Sequence, residues 1–305
     1  MFSIIVPATD DPPTLARCEA AIRASLPPDG ELIVQREPVG AGPAAARNAG
    51  AARARGDVLV FVDSDVVVAP DALNRIERRL AADPELAAVF GSYDERPEAP
   101  GTVSRFRNLL HHHVHATSPG EASTFWAGLG AVRRAAFEAV GGFDAARYPR
   151  PAIEDVELGA RLVAAGHRLE LDPLVRGTHL KRWTLRSMAA TDFARRGAPW
   201  VRLMAERREV AASLNVAPRQ RLAAAAALIA LAALAGRRPG VSLAATGAMV
   251  AANAPFYGLL AQRGGPALAL AGVPLHALHH LIAAASVPAG LIAHLRARRA
   301  SGPAR

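Results

Sequence analysis

The 305-residue chain has a single cysteine, Cys18, and a single lysine, Lys181. A lone cysteine excludes an intrachain disulfide and fits a reducing compartment. Arginine and alanine are abundant instead, the bias of a high-GC bacterial genome, so the net charge of +9 carries little information about partners. No basic stripe interleaved with aromatics occurs, and nucleic acid is not expected as a partner. The loop Gly40-Ala41-Gly42 lacks the Gly-Lys-Ser/Thr of a phosphate-binding P-loop, which disfavours that class of NTPase. The first residues, Met1 to Pro7, lack the basic region and length of a signal peptide and read as a strand, so the N-terminal domain is expected to stay cytoplasmic. Acidic residues are missing altogether after Glu209, although arginines continue to Arg305.

Three apolar stretches fill that acid-free region. Leu222 to Ala235 has no polar residue, and Val241 to Ala261 and Pro266 to Leu295 have no charge apart from histidine. A membrane span needs about 20 apolar residues. The second and third qualify by length; the first needs its flanks, with Arg219 and Arg221 snorkelling. The alternative is an alanine-rich soluble bundle, which three acid-free stretches in succession disfavour. Three spans would place either the N-terminal domain or the basic tail outside, against the positive-inside expectation. A turn at Pro274 or Pro288 would give a fourth crossing and remove the conflict.

The first part alternates strand and helix. Phe2 to Val6, Glu31 to Val34, Val58 to Val62 and Ala87 to Phe90 read as strands. Helices follow Asp11-Pro12-Pro13, Pro43 and Pro70, the second closed by Gly56. This rhythm predicts an α/β doubly wound sheet. Further on, Arg105 to Ala116 reads as a helix whose histidines (111, 112, 113 and 115) point in different directions, as on a solvated face. Ser123 to Gly128 reads as a strand, Ile153 to Ala165 as a helix, Arg168 to Leu171 and Leu174 to Thr178 as strands, and Thr184 to Glu209 as helical. A domain boundary is expected near Pro218, giving regions 1–217, 218–297 and a basic tail 298–305.

The chemistry gathers in two acidic motifs. Asp63-Ser64-Asp65 ends the run Val58 to Val62, and ligands of open α/β sheets bind beyond the carboxyl ends of such strands. Two carboxylates there are costly unless they face water or a cation, and a hard divalent cation carrying phosphate oxygens suits them. A helix-capping turn before Pro70 is the plainer alternative. Glu154-Asp155 opens a helix after Pro151, where acids also favour the dipole.

In order, Ile4-Ile5-Val6-Pro7-Ala8-Thr9, Ala46-Arg47-Asn48-Ala49-Gly50, Phe61-Val62-Asp63-Ser64-Asp65, Gly141-Gly142-Phe143-Asp144, Glu154-Asp155-Val156-Glu157-Leu158 and His179 resemble the family 2 inverting glycosyltransferases. The resemblance covers most of residues 1–180. It implies a nucleotide-diphospho-sugar transferase domain of the GT-A, Rossmann-like type, followed here by an all-α membrane region. It also implies that Asp65 holds Mg2+ or Mn2+, that Asp63 meets the ribose or the metal, and that His179 completes the coordination or only hydrogen-bonds. Pro7, Thr9, Glu37, Arg47 and Asp63 fall to the donor nucleotide, with Arg47 on the diphosphate or simply an exposed helix arginine. Asp155 becomes the general base, with Glu154 beside it. Trp126 and Gly128 fall in the acceptor floor, where core packing would also account for the indole. His179-Leu180-Lys181-Arg182-Trp183 echoes a Q-x-x-R-W motif with His for Gln, which brings Arg182 and Trp183 to the acceptor side.

One departure concerns the second strand, which in the family ends in Val-Asp-Asp-Gly-Ser. Here Leu32-Ile33-Val34 runs into Gln35-Arg36-Glu37-Pro38, where Glu37 or Gln35 could substitute; the base stays unassigned, with UDP, GDP or another nucleotide open. The expected protein is an integral enzyme of the bacterial inner membrane, its catalytic domain facing the cytoplasm. It would move sugar from a nucleotide-sugar donor to a lipid or lipid-linked acceptor of the cell envelope. A nucleotidyltransferase is disfavoured by the acidic loop after strand one, and a non-catalytic scaffold by the retained acids.

Overall fold

The computed structural model describes residues 1–209 and 217–300. Residues 301–305 of the expected basic tail lie outside them. The chain divides into two compact units, Met1–Ala99 with Val114–Lys181, and Pro100–His113 with Arg182–Arg305.

The first unit begins β1 (Phe2–Pro7), α1 (Leu15–Ser25), β2 (Glu31–Gln35), α2 (Pro43–Arg53), β3 (Val58–Val62), β4 (Val66–Val68), α3 (Ala72–Ala82) and β5 (Leu86–Tyr93). Helix α4 (Thr102–Ala116) straddles the two units; then come β6 (Gly120–Glu121), β7 (Leu129–Arg133), α5 (Arg134–Ala139), α6 (Glu154–Ala164) and β8 (Arg168–His179). The strands lie in the order β2-β1-β3-β7-β5-β8-β4, with β6 on β8. Every residue of β3 and β5 is buried, as expected of strands covered on both faces.

The sheet is mixed, not wholly parallel. β1 is parallel to β2 and β3, and β5 to β8, but β7 runs antiparallel between β3 and β5, and β4 antiparallel to β8. The expected strand at Ser123 to Gly128 is irregular, and the strand begins at Leu129. At Gly128 the carbonyl accepts from the Asp63 N–H at 3.1 Å, and the Trp126 indole lies against the same glycine, so the segment folds back and cannot extend. The two short strands expected after Arg168 are a single β8, whose register against β5 shifts between Phe90 and Ser92.

The second unit is helical: α7 (Leu185–Ala190), a π-helical stretch Thr191–Gly197, α8 (Ala198–Arg207), α9 (Pro218–Ala235), α10 (Pro239–Ala252) and α11 (Ala254–Ala300). In α4, His112 and His113 are buried, not solvated. The π-helical stretch carries Asp192, which accepts from Arg107 at 2.9 Å and pairs with His279 at 2.9 Å. The apolar stretch from Val241 to Ala261 is interrupted at Asn253, which caps α10 and bonds back to the Met249 carbonyl at 3.0 Å. Within α11 the backbone breaks at Gly265, whose φ of 74° is left-handed. The chain turns back there: Leu260 meets Gly272, and the Tyr257 hydroxyl meets His276 at 3.1 Å. Pro274 and Pro288 stay inside the continuing helix, so the chain does not reverse at either; the turn at Gly265 lies between the second and third apolar stretches. α9 and α11 are long and apolar enough to cross a membrane by length and composition, and α10 is a shorter apolar helix.

Candidate active site at the carboxyl edge of the sheet

β3 delivers Asp63, and a tight turn closes on it: the Val66 N–H donates to the Asp63 carbonyl at 2.9 Å. Below the turn Cys18 is buried, its thiol 3.5 Å from the same carbonyl. Burial and the charges of Asp63 and Asp65 push that thiol up to about 12, which makes it an inert packing group.

Arg47, on α2, is buried and joins the two acidic motifs. Its Nη2 donates to Asp63 Oδ1 at 2.6 Å and its Nη1 to Glu154 Oε1 at 2.9 Å. The guanidinium also sits 5.4 Å from the Phe143 ring. Burial disfavours its charge, but Asp63, Glu154 and Asp155 together outweigh that and raise its pKa, so it is permanently cationic. It is therefore not an exposed helix arginine, and two of its donors are already held by protein carboxylates. The neighbouring Asn48 clamps the Phe143 backbone from both sides, donating to its carbonyl at 2.8 Å and accepting from its N–H at 2.9 Å. Arg47-Asn48 and Gly142-Phe143 thus form one lock.

Asp155 sits at the start of α6. Its Oδ2 accepts from the Ala127 N–H at 3.2 Å and its Oδ1 from its own neighbour Val156 at 2.8 Å. Burial, reinforced by the charge of Glu154, pushes its carboxyl up to about 6 against the pull of Arg47. α6 can lie this close because residue 159 is glycine: a Cβ there would fall 2.2 Å from the Phe125 nitrogen. Trp126 and Gly128 flank Ala127, so the expected acceptor floor and Asp155 share one wall. A Cβ at Gly128 would lie 2.4 Å from the indole, which explains the small residue.

Asp65 and His179 converge on the other side of the turn, with Nε2 3.3 Å from Oδ2. The pairing follows from the sheet, since Val66 of β4 sits opposite His179 of β8 and the Leu180 N–H donates to the Asp65 carbonyl at 2.8 Å. Burial would raise the Asp65 carboxyl, but His179 and Lys181 hold it below the usual range. Asp63 is raised instead, by burial opposed by Arg47. Among the described residues no three His, Cys, Asp or Glu side chains converge as a metal cage. Two protein donors do fit Mg2+ or Mn2+, which take few carboxylates and complete their shells with phosphate oxygens and water. Asp63 does not join them through its Oδ1, which Arg47 holds.

The remaining predicted residues distribute as follows. Thr9 is buried and donates to the Ala41 carbonyl at 2.5 Å, tying the end of β1 to the glycine loop, and Pro7 is half-buried beside it. Gln35 is occupied internally, between Arg53 at 2.9 Å and the Glu37 carbonyl. Glu37 is exposed, its carboxylate accepting from the Val39 N–H at 3.2 Å, so it is the one of the two free to face a base. Trp183 belongs to the second unit, where its backbone bonds to Ser104 and the Arg107 guanidinium lies 5.5 Å from its ring; Arg182 beside it is exposed.

Residues 9–141 match the family model described as glycosyl transferase family 2. The matched stretch, under half of the chain, is similar to a family 2 glycosyltransferase domain. Pre-mycofactocin glycosyltransferases of two Mycobacterium tuberculosis strains are each 31% identical over 166 residues, which is 52% of this chain and 34% of theirs. The chain thus spans about a third of the length of these relatives. The mannosyltransferase PcManGT of Pyrobaculum calidifontis, solved with GDP-Man and Mn2+, is 21% identical and covers 96% of this chain and 86% of its own, with a TM-score of 0.53. That likeness is one of fold. GalNAc-T7, solved with UDP, GalNAc and Mn2+, is 14% identical over 67% of this chain and 47% of its own, with a TM-score of 0.47.

Two residues around this site escape sequence reasoning. Asn48 carried a signal, since it adjoins Arg47 in the same motif. Tyr93 carried none: it is the last residue of a wholly buried strand, and only the sheet order brings it to His179.

Proposed function

We propose that the protein transfers a sugar from a nucleoside-diphosphate donor to an acceptor hydroxyl, with inversion at the anomeric carbon. The observation that carries this is the Arg47 bridge, which holds Asp63 and Glu154 on one cation and leaves Asp155 beside them with a raised carboxyl. In this reading Asp155 accepts the proton of the acceptor hydroxyl as its oxygen attacks the anomeric carbon and the diphosphate leaves. A carboxyl near 6 is ionised at neutral pH yet basic enough to take that proton. Asp65 and His179 would hold Mg2+ or Mn2+, which supplies positive charge to the leaving diphosphate when bound. Glu37 takes the base side, Thr9 and Pro7 shape the floor beneath the nucleotide, and Trp126 with Gly128 lines the acceptor side. The role of Arg47 shifts from holding diphosphate to fixing the two acid pairs.

We place residues 1–217 as the catalytic region and 218–297 as the membrane region, with the catalytic face toward the cytoplasm and a lipid or lipid-linked acceptor. Support comes from the apolar helices: only 22% of the apolar window of α9 and 28% of that of α11 is buried, whereas core helices of soluble proteins are mostly buried. Leu222, Leu231, Leu234, Leu243 and Leu270 are all more than half exposed.

The test is a panel of UDP- and GDP-sugars with Mn2+ or Mg2+ on membranes carrying the wild type, Asp65→Ala or Asp155→Asn. Metal-dependent nucleotide release should disappear in Asp65→Ala, and transfer to a lipid extract in Asp155→Asn. Undiminished transfer by Asp155→Asn removes the base assignment. Release of the full chain from membranes by salt alone removes the integral-membrane reading.

A further inference from the structure

Tyr93 ends β5 with its ring flat against the imidazole of His179, the centroids 4.1 Å apart and the planes 8° from parallel. The stack follows from register. Tyr93 pairs with Gly177 on the parallel β8, and His179 lies two residues on, hence on the same face. A Cβ at Gly177 would lie 2.6 Å from Val66, so the residue opposite Tyr93 is held to a glycine. The strand ends are pinned beside the stack: the Asp94 N–H donates to the Gly177 carbonyl at 2.9 Å, and Thr178 donates to the Asp94 carboxylate. The edge contact of Tyr93 goes to Trp126, 4.9 Å away at 90°. Trp126 in turn meets His115, whose Nδ1 lies 2.9 Å from the Gly91 carbonyl, back on β5.

We propose that Tyr93 is a positioning residue: its ring fixes the plane of His179 so that Nε2 faces Asp65, and its edge fixes Trp126. An imidazole on a strand end can otherwise rotate about two side-chain torsions, and a flat aromatic neighbour restricts the second. Stacked aromatic pairs contribute beyond simple burial, and the benefit here appears as metal affinity because the stacked partner is a donor. The inference rests on the proposed metal-dependent reading of Asp65 and His179.

The experiment measures Mn2+ binding to the full-length protein in detergent, by calorimetry, with UDP or GDP present. Tyr93→Phe keeps the ring and should bind Mn2+ within about twofold of wild type. Tyr93→Leu loses the flat surface and should bind about three- to tenfold more weakly. In a His179→Ala background the same leucine substitution should add nothing, because the ring then has no imidazole to orient. Equal weakening in both backgrounds, or wild-type affinity in Tyr93→Leu, overturns the inference while leaving the glycosyltransferase reading intact. Lack of Mn2+ uptake by wild type with either nucleotide overturns the metal reading and the inference together. If the leucine variant does not fold, Tyr93→Met makes the same comparison with a flexible side chain.

Discussion

Asp155→Asn separates two properties that the raised carboxyl ties together. Burial and the charge of Glu154 lift Asp155 from 3.8 to about 6, in spite of Arg47 and the N–H groups of Ala127 and Val156. At 1.36 kcal/mol per pKa unit, keeping this group ionised costs the folded state about 3 kcal/mol. The carboxylate is partly exposed, so that figure is a ceiling. The sign follows from linkage. A folded-state value above the unfolded one gives stability that is fully present below about 3.8 and is lost as pH rises through about 6. Asparagine is neutral throughout and escapes this loss, but it keeps one good acceptor where the carboxylate had two, at about 1 kcal/mol. The variant should therefore be more stable than wild type at pH 8 by about 1–2 kcal/mol, and this advantage should vanish by pH 4.

Activity should move the other way. Loss of a general base lowers transfer by about 10²–10⁴-fold, while the wild-type rate should climb with pH through about 6 and then level. Thermal melting of both proteins at pH 4, 6 and 8, alongside a pH–rate profile of the wild type, reads both effects. The charge of Glu154 helps to raise Asp155, so Glu154→Gln serves as the control that should lower the wild-type midpoint. A melting difference between wild type and Asp155→Asn that does not change between pH 4 and 8 would falsify the electrostatic argument. Residual activity in the variant that retains the limb near 6 would refute the assignment of that limb to Asp155.

Arg47→Met leaves Asp63 and Glu154 without their shared cation in a buried setting and should cost about 3–5 kcal/mol, read as a drop in melting temperature; an unchanged melt would mean that solvent compensates both acids. Gly128→Ala places a methyl 2.4 Å from the Trp126 indole. It should raise the acceptor KM several-fold and shift tryptophan emission, with the donor KM unaffected; an equal change in both would deny Trp126 an acceptor-side role.

The strands were legible because β1, β3 and β5 are apolar runs, and burial on both faces demands such runs whatever their direction. Direction itself leaves no trace in composition, which is why the antiparallel insertion of β7 was invisible. Phe125-Trp126-Ala127 misled for a related reason: apolar residues also line an irregular wall when a glycine lets an indole fold back. In the C-terminal region, hydropathy registers Val241 to Ala261 as one stretch, but the break at Asn253 depends on a single side-chain amide returning to its own helix. The reversal at Gly265 depends on one positive φ. At the site, residue types pointed to Asp63, Asp65, Asp155 and His179, because acids and imidazole near strand ends are chemically conspicuous. The burial of Arg47 could not be read, since a lone arginine on an alanine-rich helix has the same pattern whether it faces water or two carboxylates.

That burial is also what makes the three motifs interdependent. Each of Asp63 and Glu154 would be costly in place without Arg47, and Arg47 would be costlier still without them. Replacing the arginine with lysine would preserve charge but not the two separate nitrogens, which reach acids from β3 and from α6. Asp63, and Glu154 next to the proposed base, are therefore held at a fixed separation by one rigid planar group. Phe143 lies under that plane, and its backbone is fixed in turn by Asn48. In the single displacement proposed above, the attacking oxygen, the anomeric carbon and the leaving oxygen must lie nearly in line, and small errors in position cost rate steeply. A guanidinium clamped between the two acids, over an aromatic ring, sets that distance without relying on either substrate to do so.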